Sequence, residues 1–263
     1  MAEPERRNTP EPLIQVRDLV AGYGEEVILE GISFDVFEGE IFVILGGSGC
    51  GKSTLLKHMV GLYPPLSGRI VIDGEDISGR NPLALQKVLR RIGVLYQSSA
   101  LLGSMTIAEN VALPIAEYID LDPPALFTLV KMKLKLVGLE GYEDYLPSEI
   151  SGGMKKRAGL ARAMALNPKI LFFDEPSSGL DPVTSAGIDN LILHLNRSLG
   201  TSMVIVTHEL QSIFAVAHRV IMLDKKTKGI IAEGDPKYLR DNSKDPSVKH
   251  FFNREPEDHF SGN

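Results

Sequence analysis

Apolar residues along this chain follow two patterns, and the order of the patterns predicts the fold. Apolar and polar residues alternate in Leu13–Val20 and Val27–Phe37, which is typical of antiparallel strands with one solvated face. Later apolar runs are short and uninterrupted, as expected of parallel strands that are buried on both faces. These runs are Ile41–Leu45, Ile92–Tyr96, Ile170–Phe173 and Met203–Thr207. The chain is therefore predicted to be an α/β protein with an antiparallel and a parallel sheet.

Helices are predicted between these strands, and three of them fall in one stretch. The strand pattern disappears from Ser98 to about Ala165, where the predicted helices are Thr106–Tyr118, Pro123–Val137 and Ser151–Leu166. This stretch predicts a helical insertion between two strands of the sheet. Within it, the alternating Lys131, Lys133 and Lys135 are interpreted as a solvated helix edge. The chain closes with a predicted hairpin and a charged tail, in which Val248–Phe252 has an apolar face that can dock.

The chain of 263 residues has a formal net charge of −6, which argues against broad binding to nucleic acid. Its single cysteine, Cys50, excludes a disulfide framework within the chain and fits a reducing compartment. The polar, proline-containing segment Met1–Pro12 predicts a disordered tail rather than a secretory signal. No segment approaches the roughly 20 apolar residues that span a bilayer. A function at a membrane would therefore need a partner that supplies the membrane part.

A phosphate-binding loop follows the apolar run Ile41–Leu45 and leads into a predicted helix that begins at Thr54. Its pattern, G-x-x-x-x-G-K-S, lets the backbone wrap closely around a polyphosphate and points free N–H groups at the anion. Lysine at the seventh position reaches the β- and γ-phosphates, and the serine hydroxyl ligates Mg²⁺. Cys50 is interpreted as occupying a variable position of the loop. The loop residues are Gly46, Gly47, Ser48, Gly49, Cys50, Gly51, Lys52 and Ser53.

Polar residues stand at the ends of three further apolar runs. Asp174 and Glu175 follow Ile170–Phe173, and such a pair beside a phosphate loop predicts one carboxylate for Mg²⁺ and one to activate water. Gln97 and His208 end the other two runs, where each is either a ligand in the crevice at the sheet edge or an ordinary polar terminus.

Three other features allow both a binding and a structural interpretation. Tyr23, in a glycine-flanked loop, either stacks on a base or is a surface residue of a turn. Ser151-Gly152-Gly153 is either a second anion-accepting helix start or a common loop. Lys155, Lys156 and Arg157 just inside that helix either strengthen anion binding or face water. Asp181 lies in a turn that caps the next predicted helix, Val183–Leu199.

Together these residues resemble an ABC-type ATPase subunit, and the resemblance covers Leu13 to Glu233. The phosphate loop matches Walker A and Ile170–Glu175 matches Walker B. Tyr23 matches the adenine-stacking aromatic loop, Gln97 the Q-loop and His208 the switch histidine. Ile150–Met154 resembles the ABC signature and Ser178–Asp181 the D-loop. Met154 stands where the commonest signature has glutamine, so no ligand role is carried over to it.

The resemblance implies a fold, a set of ligands and a set of roles. The fold would be a P-loop ABC ATPase with a RecA-like parallel core, an antiparallel β lobe and an inserted helical lobe at about residues 98–165, all within an ATPase domain at 13–240. Residues 241–263 would form an extension. ATP and Mg²⁺ would be bound, with Ser53, Gln97 and Asp174 on the metal and Lys52, Glu175 and His208 in catalysis. Two chains would pair head to tail, so that Ser151, Gly152, Gly153 and Asp181 of one cover the nucleotide of the other.

A closer resemblance is to the ATPases of Mla/MCE lipid-transport systems. It rests on Ser98–Leu102, Met105–Pro114, Leu146–Pro168 and Asp245–Val248. It implies a peripheral protein on the cytoplasmic face of the inner membrane of a Gram-negative bacterium. Its partners would be an integral permease, contacted near Leu101–Ala112, and an MCE-type periplasmic lipid-binding protein, with no nucleic acid. The alternatives are an ABC ATPase for another cargo, a cytosolic ABC ATPase and a P-loop kinase; a kinase gives no reason for the signature, Asp181 and His208.

Overall fold

Two sheets organise the protein in a computed structural model that describes residues 11–79 and 81–253. The first sheet has four antiparallel strands in the order β2-β1-β4-β5. Its strands are β1 (Ile14–Tyr23), β2 (Glu26–Val36), β4 (Ser67–Ile72) and β5 (Glu75–Asp76). The predicted alternation is present at the start of β1, where Ile14 and Val16 are fully buried, and the buried face continues at Leu19 after a shift in the pairing register. The antiparallel sheet is therefore confirmed, with the short β5 as an added edge strand.

The second sheet has six strands in the order β10-β9-β3-β8-β7-β6. They are β3 (Ile41–Gly46), β6 (Ile92–Leu95), β7 (Ile170–Asp174), β8 (Ser202–Val206), β9 (Arg219–Leu223) and β10 (Ile230–Gly234). All neighbours are parallel except β10, which pairs with β9 as the predicted hairpin. Because parallel strands share one direction, the residues that follow β3, β6, β7 and β8 meet at one edge.

Both faces of this sheet are covered, which explains its uninterrupted apolar runs. Along β3, Ile41, Val43 and Leu45 enter one hydrophobic core, and Phe42 and Ile44 enter a second one. The second core is shared with the antiparallel sheet, so the two sheets are packed together through β3 and its neighbours.

Nine α-helices are present in the described part of the chain. They are α1 (Lys52–Met59), α2 (Pro82–Leu89), α3 (Ile107–Tyr118), α4 (Pro123–Leu136), α5 (Gly152–Ala163), α6 (Pro182–Leu199), α7 (Leu210–Val216), α8 (Pro236–Asn242) and α9 (Pro246–Asn253). A 3₁₀ turn at Pro147–Glu149 precedes α5. The three helices α3, α4 and α5 form the helical insertion between β6 and β7, as predicted.

The three alternating lysines of α4 do not all lie on the surface. Lys131 and Lys135 are exposed, but Lys133 is only 4% exposed, and its ammonium donates a hydrogen bond to Asn167. The prediction of a solvated helix edge was therefore wrong for Lys133. One side of α4 packs on the core, and this lysine extends from it to the loop before β7.

The predicted tail contains two short helices, α8 and α9, and the apolar face of α9 does dock. Val248 and Phe252 are buried, and the Phe252 ring lies 5.7 Å from that of Phe214. The first ten residues of the predicted disordered tail and the last ten of the predicted extension lie outside the described residues. In the described part, no helix has both the length and the apolar character needed to cross a bilayer.

Candidate functional site

The phosphate loop connects β3, at the centre of the second sheet, to α1, and its backbone requires glycine at three positions. Gly46, Gly49 and Gly51 have φ values of 148°, 74° and 99°, which side-chain-bearing residues rarely adopt. A Cβ at Gly46 would lie 2.4 Å from the carbonyl oxygen of Leu223 on β9. The loop is therefore pressed onto the neighbouring strand on one side and is open on the other.

The side chain of Lys52 folds back over this loop. Its ammonium donates hydrogen bonds of 2.9 Å to the carbonyl oxygens of Gly46 and Gly47, and the residue is only 9% exposed. A positive charge is thus held inside the ring of backbone atoms, at the start of α1, where the helix dipole also favours an anion.

A cavity of about 620 Å³ opens above the loop, within the size range of small-molecule sites. Its walls come from the loop, from the ends of parallel strands and from two more distant segments. The lining residues are Ile28, Gly46, Gly47, Ser48, Gly49, Gly51, Lys52, Ser53, Thr54, Gln97, Glu175, His208 and Phe251. The structure therefore brings most of the predicted cofactor residues together, along with Ile28 and Phe251, which no sequence motif indicated.

Ser53 and Asp174 form a polar pair beside this cavity. The Ser53 hydroxyl donates a 2.9 Å hydrogen bond to Oδ1 of Asp174, which connects the start of α1 to the end of β7. Burial raises the pKa of the Asp174 carboxyl, and the hydrogen bond from Ser53 only partly opposes this. A cation would stabilise this buried carboxylate.

The oxygen donors here fit Mg²⁺, which takes few protein carboxylates and relies on substrate phosphates and water. Gln97 lines the phosphate cavity and, with Asp174, a neighbouring cavity. Its side-chain amide donates to Ser178 at 3.3 Å, which leaves the amide oxygen as a possible ligand. In the part of the chain that the structure describes, no cluster of three or more His, Cys, Asp or Glu side chains could hold a metal.

Glu175 and His208 face each other across the ends of β7 and β8. Nδ1 of His208 lies 2.8 Å from Oε1 of Glu175, while Oε2 of Glu175 is buried and has no hydrogen-bond partner among the described residues. The backbone of Glu175 has a left-handed φ of 49°. One carboxylate oxygen is thus fixed by the histidine, and the other is an unused acceptor on a residue that lines the cavity.

Tyr23 lies beside the cavity without lining it. Its hydroxyl is 3.4 Å from that of Thr54, and its ring packs edge-on against Tyr63 with 5.1 Å between the ring centres. The tyrosine is 36% exposed, so part of its ring is open to a base. Tyr63 lies on the loop after α1, and its contact with Tyr23 was not predicted from the sequence. A Tyr-Pro-Pro segment indicates only that the helix ends there.

Cys50 is a loop residue whose side chain does not reach the cavity. It is 3% exposed, and a Cβ on Gly46 would come within 2.7 Å of its sulfur atom. Burial raises the pKa of the thiol, although Lys52 opposes this. The thiol therefore fills the space beneath the loop and does not contact a ligand through its sulfur atom.

The residues of the second helix start lie outside this cavity. Ser151 caps α5 by accepting a hydrogen bond from the Met154 backbone at 3.3 Å. Asp181 caps α6 by accepting 3.0 Å bonds from the backbones of Val183 and Thr184, and hydrogen bonds from Thr184 and Val183 lower the pKa of its carboxyl. Within one chain, Ser151, Gly152, Gly153 and Asp181 therefore do not meet the phosphate loop.

Lys156 is the functional-site neighbour that sequence reasoning missed. It is 5% exposed, and its ammonium donates to the backbone carbonyl oxygens of Gln97 at 2.6 Å and Glu175 at 3.1 Å. Both sequence interpretations, an anion-binding or a solvated lysine, were wrong. The helical spacing carried a signal, because residue 156 lies on the same face of α5 as the buried Gly153 and Leu160.

Comparison with known proteins identifies the family. A family model described as ABC transporter matches residues 29–178 of the chain. The chain belongs to the ABC transporter family. It is 42% identical to the intermembrane phospholipid transport system ATP-binding protein MlaF of Escherichia coli strain K12, over 91% of this chain and 88% of the relative. It is 41% identical to the probable ribonucleotide transport ATP-binding protein mkl of Mycobacterium leprae, over 91% of this chain and 68% of the relative.

Solved structures of ABC ATPases have the same fold. A dimeric ATP-binding cassette, MJ0796, in a post-hydrolysis state with ADP and phosphate, matches with a TM-score of 0.76 and 30% identity over 84% of this chain and 98% of that one. CbiO1 of Clostridium perfringens, part of an ABC transporter complex, matches with a TM-score of 0.80 and 29% identity over 88% of this chain and 91% of that one. The predicted fold class and the ATPase activity are confirmed.

This protein is thus the ATP-hydrolysing subunit of an ABC transporter. ATP-binding cassettes of known structure in this family form dimers. The cavity in a single chain accounts for Lys52, Glu175 and His208, while the signature serine and glycines face elsewhere.

Proposed function

We propose that this ABC ATPase drives the movement of phospholipid or a related lipid between the membranes of a Gram-negative cell envelope. The assignment of a lipid cargo rests on one observation. The chain is 42% identical, along 91% of its length, to MlaF, an intermembrane phospholipid transport ATP-binding protein. The ATPase would lie on the cytoplasmic face of the inner membrane as a peripheral subunit. It would act with an integral permease and, through the complex, with an MCE-type periplasmic lipid-binding protein.

ATP binding is supported by the geometry of the cavity. The backbone N–H groups of the phosphate loop and the Lys52 ammonium would hold the β- and γ-phosphates, and Tyr23 would pack against adenine. Mg²⁺ would be held by Ser53, Asp174 and Gln97, and the ion would offset the negative charge of the phosphates. Exchange of the Lys52 contacts with Gly46 and Gly47 for phosphate oxygens would leave the lysine satisfied.

Hydrolysis in this proposal depends on Glu175. Its buried Oε2, which has no partner within residues 11–79 and 81–253, would orient a water molecule and accept its proton during attack on the γ-phosphate. His208 holds the other oxygen at 2.8 Å and would donate to a phosphate oxygen once ATP is bound. In a head-to-tail pair, Ser151 and Gly153 of the second copy would cover the same phosphate, so ATP would join the two copies.

The surface that would receive the permease is an apolar groove next to the Q-loop. A cavity of about 530 Å³ lies between α2, α3 and β6, and its walls include Leu89, Leu113 and Tyr96. Leu89 and Leu113 are 40% and 43% exposed. Tyr96 in the wall of this groove directly precedes Gln97. An apolar cytoplasmic segment of a permease bound in the groove would therefore be coupled, through Tyr96 and Gln97, to the ligand in the phosphate cavity. None of the lining residues lies in the Leu101–Ala112 segment proposed from the sequence, but those from α3 follow it directly, beginning at Leu113.

A trapped complex tests the partner and the cargo together. Glu175→Gln should retain ATP binding and hydrolyse ATP at least ~100-fold more slowly, which is the scale for loss of a general base. Purified with ATP from detergent-solubilised native membranes, it should bring an integral permease, an MCE-type protein and phospholipid, which mass spectrometry would identify. Wild-type protein purified with ADP is the control.

Other results of this purification point to other functions. A different permease with a soluble binding protein keeps the ATPase and replaces the cargo. Recovery of soluble proteins alone contradicts a transporter role. The second candidate cargo is ribonucleotide, because relatives named probable ribonucleotide transport ATP-binding proteins are 40–41% identical to this chain. A nucleotide-binding protein in place of bound lipid would favour that candidate.

A further inference from the structure

The ammonium of Lys156 occupies a position that connects three functional segments. It extends from α5, the helix that starts with the signature serine and glycines, and donates to the carbonyl oxygens of Gln97 and Glu175. Gln97 follows β6 and Glu175 follows β7, so one side chain bonds to both strand ends that carry the predicted metal and water ligands.

The contact with Glu175 has a particular physical effect, because that residue adopts a left-handed backbone conformation. A φ of 49° is strained for a residue with a side chain, and it persists only where several contacts fix it. The backbone N–H of Glu175 donates to Val206 at 2.9 Å, and its carbonyl accepts from Ser178 at 3.2 Å and from Lys156 at 3.1 Å. Lys156 therefore supplies the charged member of the set that holds this backbone.

Burial makes the contact strong and its loss costly. The ammonium is buried, and burial lowers the pKa of Lys156, although Glu175 and Asp174 oppose this. Without the lysine, the carbonyl oxygens of Gln97 and of the buried Glu175 lose a charge-assisted donor, so the two strand ends would shift or admit water.

We propose that Lys156 is a positioning residue that fixes Glu175 and Gln97 to α5. Through this connection, the contact of the signature residues with one ATP sets the geometry of Glu175 and Gln97 at the other ATP. Lys156 lies about 7–8 Å along the helix axis from Ser151, at 1.5 Å per residue. The γ-phosphate held by Ser151 belongs to the partner's site, whereas Gln97 and Glu175 serve this chain's own site. This inference rests on the proposed head-to-tail arrangement.

The main test compares two buried lysines in the full-length protein. Lys156→Met should bind a fluorescent ATP analogue with unchanged affinity and lose about 10- to 100-fold in kcat, the scale for a misplaced catalytic group. Lys156→Arg should recover most of the turnover, since a guanidinium can donate to both carbonyls. Lys133→Met is the matched control. Lys133 is likewise buried, with 4% exposed, on a helix of the same insertion, but its ammonium donates to Asn167. The Lys133→Met protein should retain the kcat of the wild type and have a thermal stability similar to that of Lys156→Met.

Equal kcat losses in Lys156→Met and Lys133→Met, or a weaker affinity for ATP with normal kcat, would overturn the positioning role. A double-mutant cycle with Ser151→Ala tests the connection between the sites: non-additive effects on kcat support it, and additive effects overturn it. Glu175→Gln is measured in parallel. If Glu175→Gln hydrolyses ATP normally, the proposed function itself fails; if Glu175→Gln is inactive and Lys156→Met is normal, this inference alone fails.

Discussion

At the residue scale, the site places its polar groups by pairing them in the protein before any ligand binds. Ser53 is paired with Asp174, His208 with Glu175, and Lys52 with two loop carbonyls. These pairs hold the side chains at the cavity wall, so little reorganisation is needed when phosphates replace the internal partners. The exception is Oε2 of Glu175, which is buried and has no hydrogen-bond partner among the described residues, so its acceptor capacity is unused.

Tyr23 gives the first residue-scale prediction. Tyr23→Ala should weaken ATP binding by about 1–3 kcal/mol, the usual contribution of base stacking on an aromatic ring. Calorimetric titration with ATP would measure the change. Tyr23→Phe keeps the ring and its contact with Tyr63 and loses only the long 3.4 Å hydroxyl contact with Thr54, so it should bind ATP normally. A loss in the phenylalanine variant equal to that in Tyr23→Ala would contradict stacking.

At the element scale, the start of α5 is packed tightly against the start of α6. A Cβ on Gly153 would lie 2.5 Å from Cγ2 of Thr184, and one on Gly152 would lie 3.5 Å from Leu180. The signature and the D-loop are therefore one packed unit within the chain, even though neither reaches its own phosphate loop. Glycine at 153 is required by the neighbouring helix, because alanine is otherwise the better helix former.

This packing predicts that Gly153→Ala destabilises the protein by about 1–3 kcal/mol, the usual cost of overpacking. Urea unfolding would measure it. Thr184→Ser removes the clashing methyl group but keeps the hydroxyl that bonds to Asp181, so the double variant should recover most of the lost stability. Failure of the double variant to recover would show that the glycine is needed for another reason.

A buried hydrogen-bond chain connects α6 to α7, and it predicts a pH effect. Ser212 donates to Oδ2 of Asp189 at 2.9 Å and lies 3.5 Å from Ser177, while Oδ1 of Asp189 has no partner among the described residues. Burial raises the pKa of Asp189, the hydrogen bond from Ser212 partly opposes this, and the charge of Glu209 adds to it.

Because the pKa of Asp189 is higher in the folded state, the folded protein binds this proton more strongly than the unfolded chain does. Its contribution is most favourable below the unfolded pKa of about 3.9 and is lost as pH rises through the raised value. The stability of the wild type minus that of Asp189→Asn should therefore fall with increasing pH in urea titrations. A difference that increases with pH would contradict the raised pKa.

The sequence predicted the elements better than the contacts between them. Buried parallel strands and the helical insertion carry strong periodic signals, and the loop after Leu45 carries its chemistry in residue types. The helices α8 and α9 were missed because each is only 7–8 residues long and is stabilised by docking rather than by its own pattern. Lys156 was misjudged because the burial of a lysine depends on acceptors 19 and 59 residues away in sequence.

At the scale of the whole molecule, the two sheets share a core, and the site lies where the parallel sheet, the phosphate loop and α9 meet. Phe251 of α9 lines the cavity, so this helix is part of the site's surroundings. Ser151 and Asp181 lie outside the cavity, where they cap helices. Within a single chain, the phosphate loop and the exposed Ser151 therefore lie apart.

This division predicts how ATP controls association. Glu175→Gln with ATP and Mg²⁺ should form a dimer, and the same protein with ADP should remain monomeric; light scattering after size exclusion would give the masses. Adding Ser151→Arg should abolish the dimer and leave ATP binding unchanged, because the substituted side chain is exposed on α5 and distant from its own phosphate loop. Lys52→Ala, in contrast, should lose both, since it removes the charge in the loop itself. A Ser151→Arg protein that still dimerises with ATP would exclude the head-to-tail arrangement, because both copies would then present an arginine where the partner's γ-phosphate must lie.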